Sequence, residues 1–314
     1  MAKRLFAVLA VLLFVAISCG PASAPTSEST PTTPLATASP AAFPVTVTDF
    51  QGRAVSIPAR PARIVSIGPS NTEFLFALGV GDRVVGVDDF SDQPAAARQI
   101  EKVGGVKVNV EKVVALRPDL VVTVKFSDGT IERIATAGLN VLVVDPQSIG
   151  DVARTAILVG RAIGADGDRL ARDLDTALER TRQKVASATT KPRVFHEVDA
   201  SDPAKPFTVG PGSYLHDLIV LAGGTNIAAA AGMAYPQFSL EEIVRADPEI
   251  IVLGDADYGT TPEQVAARPG WSGMTAVKQR RIFPISDSLV SRPGPRLAEA
   301  AEAYAKLLHP ELFR

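Results

Sequence analysis

Val110-Glu111-Lys112-Val113-Val114-Ala115-Leu116-Arg117-Pro118-Asp119-Leu120 returns 130 residues later as Leu240-Glu241-Glu242-Ile243-Val244-Arg245-Ala246-Asp247-Pro248-Glu249-Ile250. Each copy reads as a short helix, a stop marked by proline, and then an apolar strand. Spacing of this kind predicts two related lobes rather than one sheet; chance likeness between generic helix–Pro–strand units is the competing explanation. Working outward, strands are predicted at Arg63–Gly68, Arg83–Asp88, Asp119–Val124 and Asn140–Asp145, and again at Arg193–Asp199, Glu249–Gly254 and Arg281–Ser286. Their apolar residues stand on consecutive positions, the pattern of parallel strands covered on both faces. Helical patterns lie between them, so the fold class is α/β.

Between the halves, Leu170, Leu174, Leu178 and Val185 form one apolar stripe at helical spacing, with charged residues elsewhere. A single helix over Asp166–Ser187 would run roughly 33 Å at 1.5 Å per residue, long enough to bridge two lobes. An ordinary surface helix within one domain is the alternative. The expected organisation is a first lobe at 45–147, a connecting helical segment at 148–190 and a second lobe at 191–314.

The N-terminal region differs in composition. Lys3 and Arg4 precede the apolar run Leu5–Ile17, which is too short to span a bilayer comfortably and reads as a secretory signal over 1–18. It ends in Ala16-Ile17-Ser18-Cys19, which resembles a bacterial lipobox and implies a lipidated Cys19, although Leu is more usual three residues before the cysteine. A plain cleaved signal with an incidental cysteine is the alternative. Residues 19–44 are dominated by Pro, Ser, Thr and Ala, too little apolar surface to offset ordering entropy, and are expected to be a disordered tether. Cys19 is the one cysteine, so the fold must hold without disulfides.

With 314 residues the chain suits two α/β units, and a formal net charge of −2 gives no nucleic-acid footprint. His196, His216 and His309 follow no metal-ligand spacing, and no metal site is expected. Gly210-Pro211-Gly212-Ser213 lacks the G-x-S-x-G pattern of a nucleophile elbow, and Gly79-x-Gly81 lacks the third glycine of a dinucleotide loop. No catalytic residue is assigned. A secreted lipoprotein hydrolase is the contrasting reading.

Arg63-Ile64-Val65-Ser66-Ile67-Gly68-Pro69-Ser70-Asn71-Thr72-Glu73, then Ala77-Leu78-Gly79 and Val84-Val85-Gly86-Val87, resembles the first lobe of the helical-backbone periplasmic binding proteins. Phe90-Ser91-Asp92-Gln93-Pro94, Val103-Gly104-Gly105, Tyr235-Pro236-Gln237-Phe238-Ser239 and Arg292-Pro293-Gly294-Pro295-Arg296 extend the resemblance from Val45 to the C-terminus. That family serves ABC importers for cobalamin, ferric siderophores and haem, and the chain looks most similar to its cobalamin-binding branch. The resemblance implies two Rossmann-like lobes joined by a single long helix, with ligand held in the cleft between them. It also implies a monomer outside the membrane that meets a permease dimer. No cofactor is expected: the corrinoid, or alternatively the ferric siderophore or haem, is transported cargo.

Six residues are expected at the ligand. Phe90, Phe126, Phe207 and Tyr235 are aromatics in loops, where broad faces suit a planar ring. The resemblance puts Phe90, Phe207 and Tyr235 on or near cleft positions, and Arg292 on a cleft arginine suited to amides or phosphate. Ser70, in the capping-box spacing Ser70-x-x-Glu73, either caps a helix or faces the ligand. Glu111 and Glu241 open equivalent helices, and the resemblance makes them the carboxylates that meet permease arginines; Glu242 is a competitor for the second. Simple dipole-favoured acids at helix N-termini are the alternative. Relatives of enteric type carry a Trp near 103–109, where this chain has Val106-Lys107, which weakens the corrin assignment. Trp271 is expected to be a packing residue.

Overall fold

The computed structural model describes residues 42–313. The signal (1–18), Cys19 and most of the tether (19–44) lie outside the described residues. The fold opens with a ribbon, β1 (Val45–Thr48) paired antiparallel with β2 (Ala54–Ile57). Its alternating burial puts Val47, Val55 and Ile57 into the first-lobe core.

Four parallel strands form the first sheet: β3 (Ile64–Ile67), β4 (Val84–Val87), β5 (Leu120–Thr123) and β6 (Val141–Val143), in the order β4-β3-β5-β6. Neighbouring residues face opposite ways. Ile64, Leu120, Val122 and Leu142 enter one apolar cluster, while Val65, Ile67, Val121 and Val143 enter another on the far face. The first-lobe helices are α1 (Pro69–Ala77), α2 (Val110–Ala115) and α3 (Thr130–Thr136).

Across the connecting segment run α4 (Ile149–Ile163) and α5 (Gly167–Val185). The helix expected over 166–187 is present as α5, yet its buried Ala171, Leu174, Leu178 and Val185 all lie in the second-lobe core. The bridge is α4: Val152 and Ala156 join the second-lobe core, and Leu158, Val159, Ala162 and Ile163 join the first. The correction has a local cause. Gly164, at φ 69, ends α4 in the left-handed conformation, and a Cβ on Gly160 would lie 2.6 Å from Gly167, so glycine lets the two helices fold back tightly.

The second sheet is β11-β10-β7-β8, from β7 (Arg193–Asp199), β8 (Phe207–Thr208), β10 (Ile250–Leu253) and β11 (Ile282–Pro284), with β9 (Thr225–Asn226) also on β7. Its helices are α6 (Tyr214–Leu221), α7 (Leu240–Ala246), α8 (Pro262–Ala266), α9 (Thr275–Lys278), α10 (Asp287–Val290) and α11 (Leu297–Leu308). Every strand predicted from the sequence is present; β1, β2, β8 and β9 were not anticipated.

The 130-residue echo is structural down to hydrogen bonds. Ile64 pairs with Leu120, and Val194 with Ile250, at the same offset. Arg63 donates to the Leu116 carbonyl at 2.7 Å through its terminal nitrogen; Arg193 donates to the Ala246 carbonyl at 3.1 Å. An Asp119 oxygen accepts from the Arg63 N–H, and a Glu249 oxygen from the Arg193 N–H. Even the strained residue recurs: Arg117 (φ 47) and Asp247 (φ 42) sit at equivalent turns before the prolines. Shared strain and shared clasps disfavour a chance likeness.

Candidate functional site

The cleft between the lobes has a volume of about 440 Å³. Strand ends supply its first wall: Pro69 and Ser70 follow β3, Phe90 follows β4, Val124 follows β5, and Asp145, Pro146 and Gln147 follow β6. The second wall brings Tyr214, Tyr235, Tyr258, Asp287 and Arg292. Open parallel sheets present ligand-binding loops beyond their strand C-termini because crossovers leave that edge free. Gly68 makes the turn from β3 into α1 at φ 114, pressed so close to Val124 that a Cβ would stand 2.6 Å from its side chain.

Three aromatic faces are open to the cleft: Phe90 is 52% exposed, Tyr235 40% and Tyr258 78%. The phenols of Tyr235 and Tyr258 are neutral at pH 7. Burial, then the charge of Asp145, pushes the Tyr235 hydroxyl up. The hydrogen bond from Tyr258 to Asp287, at 2.9 Å, does the same for Tyr258. Polar edges complete the lining, with Gln147 donating to the Asp145 carboxylate at 2.9 Å.

Ser70, Phe90, Tyr235 and Arg292 are therefore brought together, from positions scattered over more than two hundred residues. Phe207 lies next door, lining an adjoining hollow of about 430 Å³ whose wall it shares with Tyr235. Phe126 packs half-buried against the first-lobe core, outside the cleft lining. Tyr258 and Tyr214 were missed, because nothing in the sequence marks which tyrosines a loop will turn inward.

One local expectation is corrected. Ser70 and Glu73 form no capping box: the N-cap of α1 is Gly68, with no side-chain cap. Glu73 is buried, and its carboxylate instead accepts two hydrogen bonds from Arg296, at 2.9 and 2.8 Å. Arg292 is not a free cation, since it pairs with Asp92 and approaches Glu73 at 3.5 Å. Partial burial works to raise the Asp92 carboxyl, but the hydrogen bond and charge of Arg292 outweigh it and hold the carboxyl low.

Glu111 and Glu241 are both exposed in the first turns of α2 and α7, and neither side chain has a hydrogen-bond or ion partner among the described residues. Glu242 is engaged differently, accepting from the Ser239 N–H and hydroxyl at 2.8 Å in a capping box. Ser213 caps α6, donating to the Gly210 carbonyl at 2.8 Å and accepting from the His216 N–H, so its hydroxyl is committed to structure. Trp271 is fully buried edge-on to Phe195, as expected of a packing residue.

A family model described as "Periplasmic binding protein" matches residues 64–289. An uncharacterised ABC transporter substrate-binding lipoprotein of Bacillus subtilis, YvrC, is 35% identical over 87% of this chain and 88% of its own length. A cobalamin-binding protein of Halobacterium salinarum is 32% identical over 85% of this chain and 74% of its own. Among solved structures, the periplasmic heme-binding protein RhuT of Roseiflexus superposes with a TM-score of 0.72 at 26% identity, covering 80% of this chain and 98% of that one. With two sheets related by an internal repeat, a helix shared by both cores and a cleft at the strand ends, the chain belongs to the periplasmic binding protein family, whose members bind solutes and are not enzymes.

Proposed function

We propose that this solute-binding protein is a lipid-anchored, extracytoplasmic receptor that captures cobalamin or a related corrinoid and delivers it to an ABC importer. The observation that carries the reading is the set of aromatic faces, Phe90 from one lobe and Tyr235 and Tyr258 from the other, exposed around one cleft. Such faces match a broad macrocycle, and the rim of Ser70, Asp145, Gln147 and Asp287 offers both donors and acceptors to peripheral amides. The relationship to the Halobacterium cobalamin-binding protein supports the same ligand.

Charge favours a corrinoid over the alternatives. Haem propionates and anionic siderophores call for free cations, whereas the lining's one arginine, Arg292, is already neutralised by Asp92 and Glu73. Haem is the second reading, supported by the likeness to RhuT and by the Tyr235 hydroxyl in the cleft.

Glu111 and Glu241, exposed and unengaged at equivalent points of the repeat, are the proposed contacts with the two permease subunits. Two separated charges fix orientation and speed encounter. Calorimetric titration with cyanocobalamin, cobinamide and haemin tests the assignment. A corrinoid Kd on the order of nanomolar, about −12 kcal/mol, is expected. Corrinoid binding weaker than about 100 μM, roughly −5.5 kcal/mol, together with tight haemin binding, overturns it in favour of haem.

A further inference from the structure

Adjacent residues of α1 cross from the first lobe into the second by different physics. Phe74 is fully buried and belongs to the second-lobe apolar cluster, in which Leu297 of α11 also takes part. Glu73, only 4% exposed, receives the guanidinium of Arg296 through two hydrogen bonds and Arg292 at 3.5 Å. Arg296 is tied to its own lobe by donating to the Ser288 carbonyl at 2.6 Å. Arg292 reaches on to Asp92 and, at 3.4 Å, to the Phe90 carbonyl. Gly294 lies between the two arginines, and its Cβ position is 3.3 Å from a Glu73 oxygen, so this loop seats directly on the N-terminal end of α1.

We propose that Glu73 and Arg296 are positioning residues: with Arg292 and Asp92 they form a clasp across the lobes that holds the empty cleft at its ligand-ready separation. Two carboxylates and two guanidiniums make the cluster neutral, so closing it leaves no uncompensated charge. Opening the lobes would strip Glu73 of its partners, and separating a buried, doubly hydrogen-bonded pair is costly. The outer Asp92–Arg292 pair is different, because Asp92 is 43% exposed, and salt screens it more strongly than the inner pair. The inner pair therefore sets the rest position, while the outer pair is the part that yields when ligand enters past Phe90. The competing possibility is that α4 and the Phe74 contact hold the lobes alone, with the ions as passengers.

Double electron–electron resonance on the ligand-free full chain separates the two. Spin labels are placed at exposed positions on either lobe (Glu132→Cys and Glu263→Cys, in a Cys19→Ser background). Glu73→Gln and Arg296→Met are each expected to broaden the interlobe distance distribution and shift it to longer values. Arg296→Lys, which keeps the charge but loses the paired hydrogen bonds, falls between. Asp92→Asn, a half-exposed change that leaves the fold intact, broadens it least. Stopped-flow mixing with cyanocobalamin supplies the second readout: dissociation accelerates in Glu73→Gln by at least about fivefold, as loss of a buried cross-lobe charge partner acts on rates of separation, while association does not speed up, because the empty cleft is no longer held ready. Distance distributions that superimpose for the wild type and both inner-pair variants overturn the clasp. Since that readout needs no ligand, it fails separately from the corrinoid assignment.

Discussion

Tyr235→Ala tests the cleft most directly. In the empty cleft, Tyr235 leaves 40% of its surface open. A covered aromatic side chain buries roughly 200 Å² in full, so that fraction is about 80 Å². At ~25 cal/mol per Å² its covering by a ligand ring contributes about 2 kcal/mol. Since about 1.4 kcal/mol is tenfold in Kd, truncation is expected to weaken corrinoid binding about 30-fold. Tyr235→Phe keeps the face and is expected to stay near wild type, because the neutral phenol contributes no charge. Phe126→Ala, off the cleft lining, is expected to lower stability but to leave Kd unchanged. The assay is isothermal titration with cyanocobalamin, with each variant's fold checked by thermal melting. A Tyr235→Ala protein that binds within about threefold of wild type, less than the 1.4 kcal/mol of a single decade, refutes the stacking argument.

Further outcomes follow from other parts of the molecule. Glu111→Ala combined with Glu241→Ala should leave corrinoid affinity intact while uptake in cells falls; Glu242→Ala should lower thermal stability through its capping box and spare uptake. Burial depresses His196 to about 4, so it is neutral when folded, while the unfolded chain takes up its proton near 6.5. Its contribution is complete above about pH 6.5 and is lost as pH falls towards 4, about 3 kcal/mol across the window. Denaturant unfolding at both ends should show that loss in wild type and a smaller one in His196→Gln. Arg268→Met strands Glu197, which is fully buried and whose carboxyl burial already pushes up. A loss of about 3–5 kcal/mol at pH 7 is expected. A raised carboxyl pKa destabilises most above that pKa, so the deficit should shrink as pH falls and Glu197 protonates; a deficit that grows instead contradicts the burial argument.

Much of this protein could be read in one dimension. Consecutive apolar positions in Ile64–Ile67, Leu120–Thr123 and Ile250–Leu253 announce strands covered on both faces, because side chains alternate and both sides must then be apolar. The repeat from Val110 to Leu240 foretells two lobes, since helix, stop and strand are local events written in adjacent residues. The ribbon at β1 and β2 carries period-2 alternation around Gln51-Gly52, a signal outside the consecutive apolar positions that mark the parallel strands. Phe90, Tyr235 and Arg292 could be nominated because they stand in loops after regular elements.

Pairings between distant segments were decided only in three dimensions. Both α4 and α5 carry an apolar stripe, yet α4 is the helix both cores share: Val152 and Ala156 of its first half enter one core and Leu158, Val159, Ala162 and Ile163 of its second half the other, and no local pattern says which lobe each turn will meet. Ser70-x-x-Glu73 satisfied a capping pattern, but Glu73 found a better partner 223 residues away in Arg296. Tyr258 enters the cleft through its bond to Asp287, and Arg292 is neutralised by Asp92; neither pairing leaves a trace in local composition. A sequence specifies which side chains are present and which local shapes they favour. Which charges meet, and which faces remain open for a ligand, follows only when the two lobes close around their shared helix.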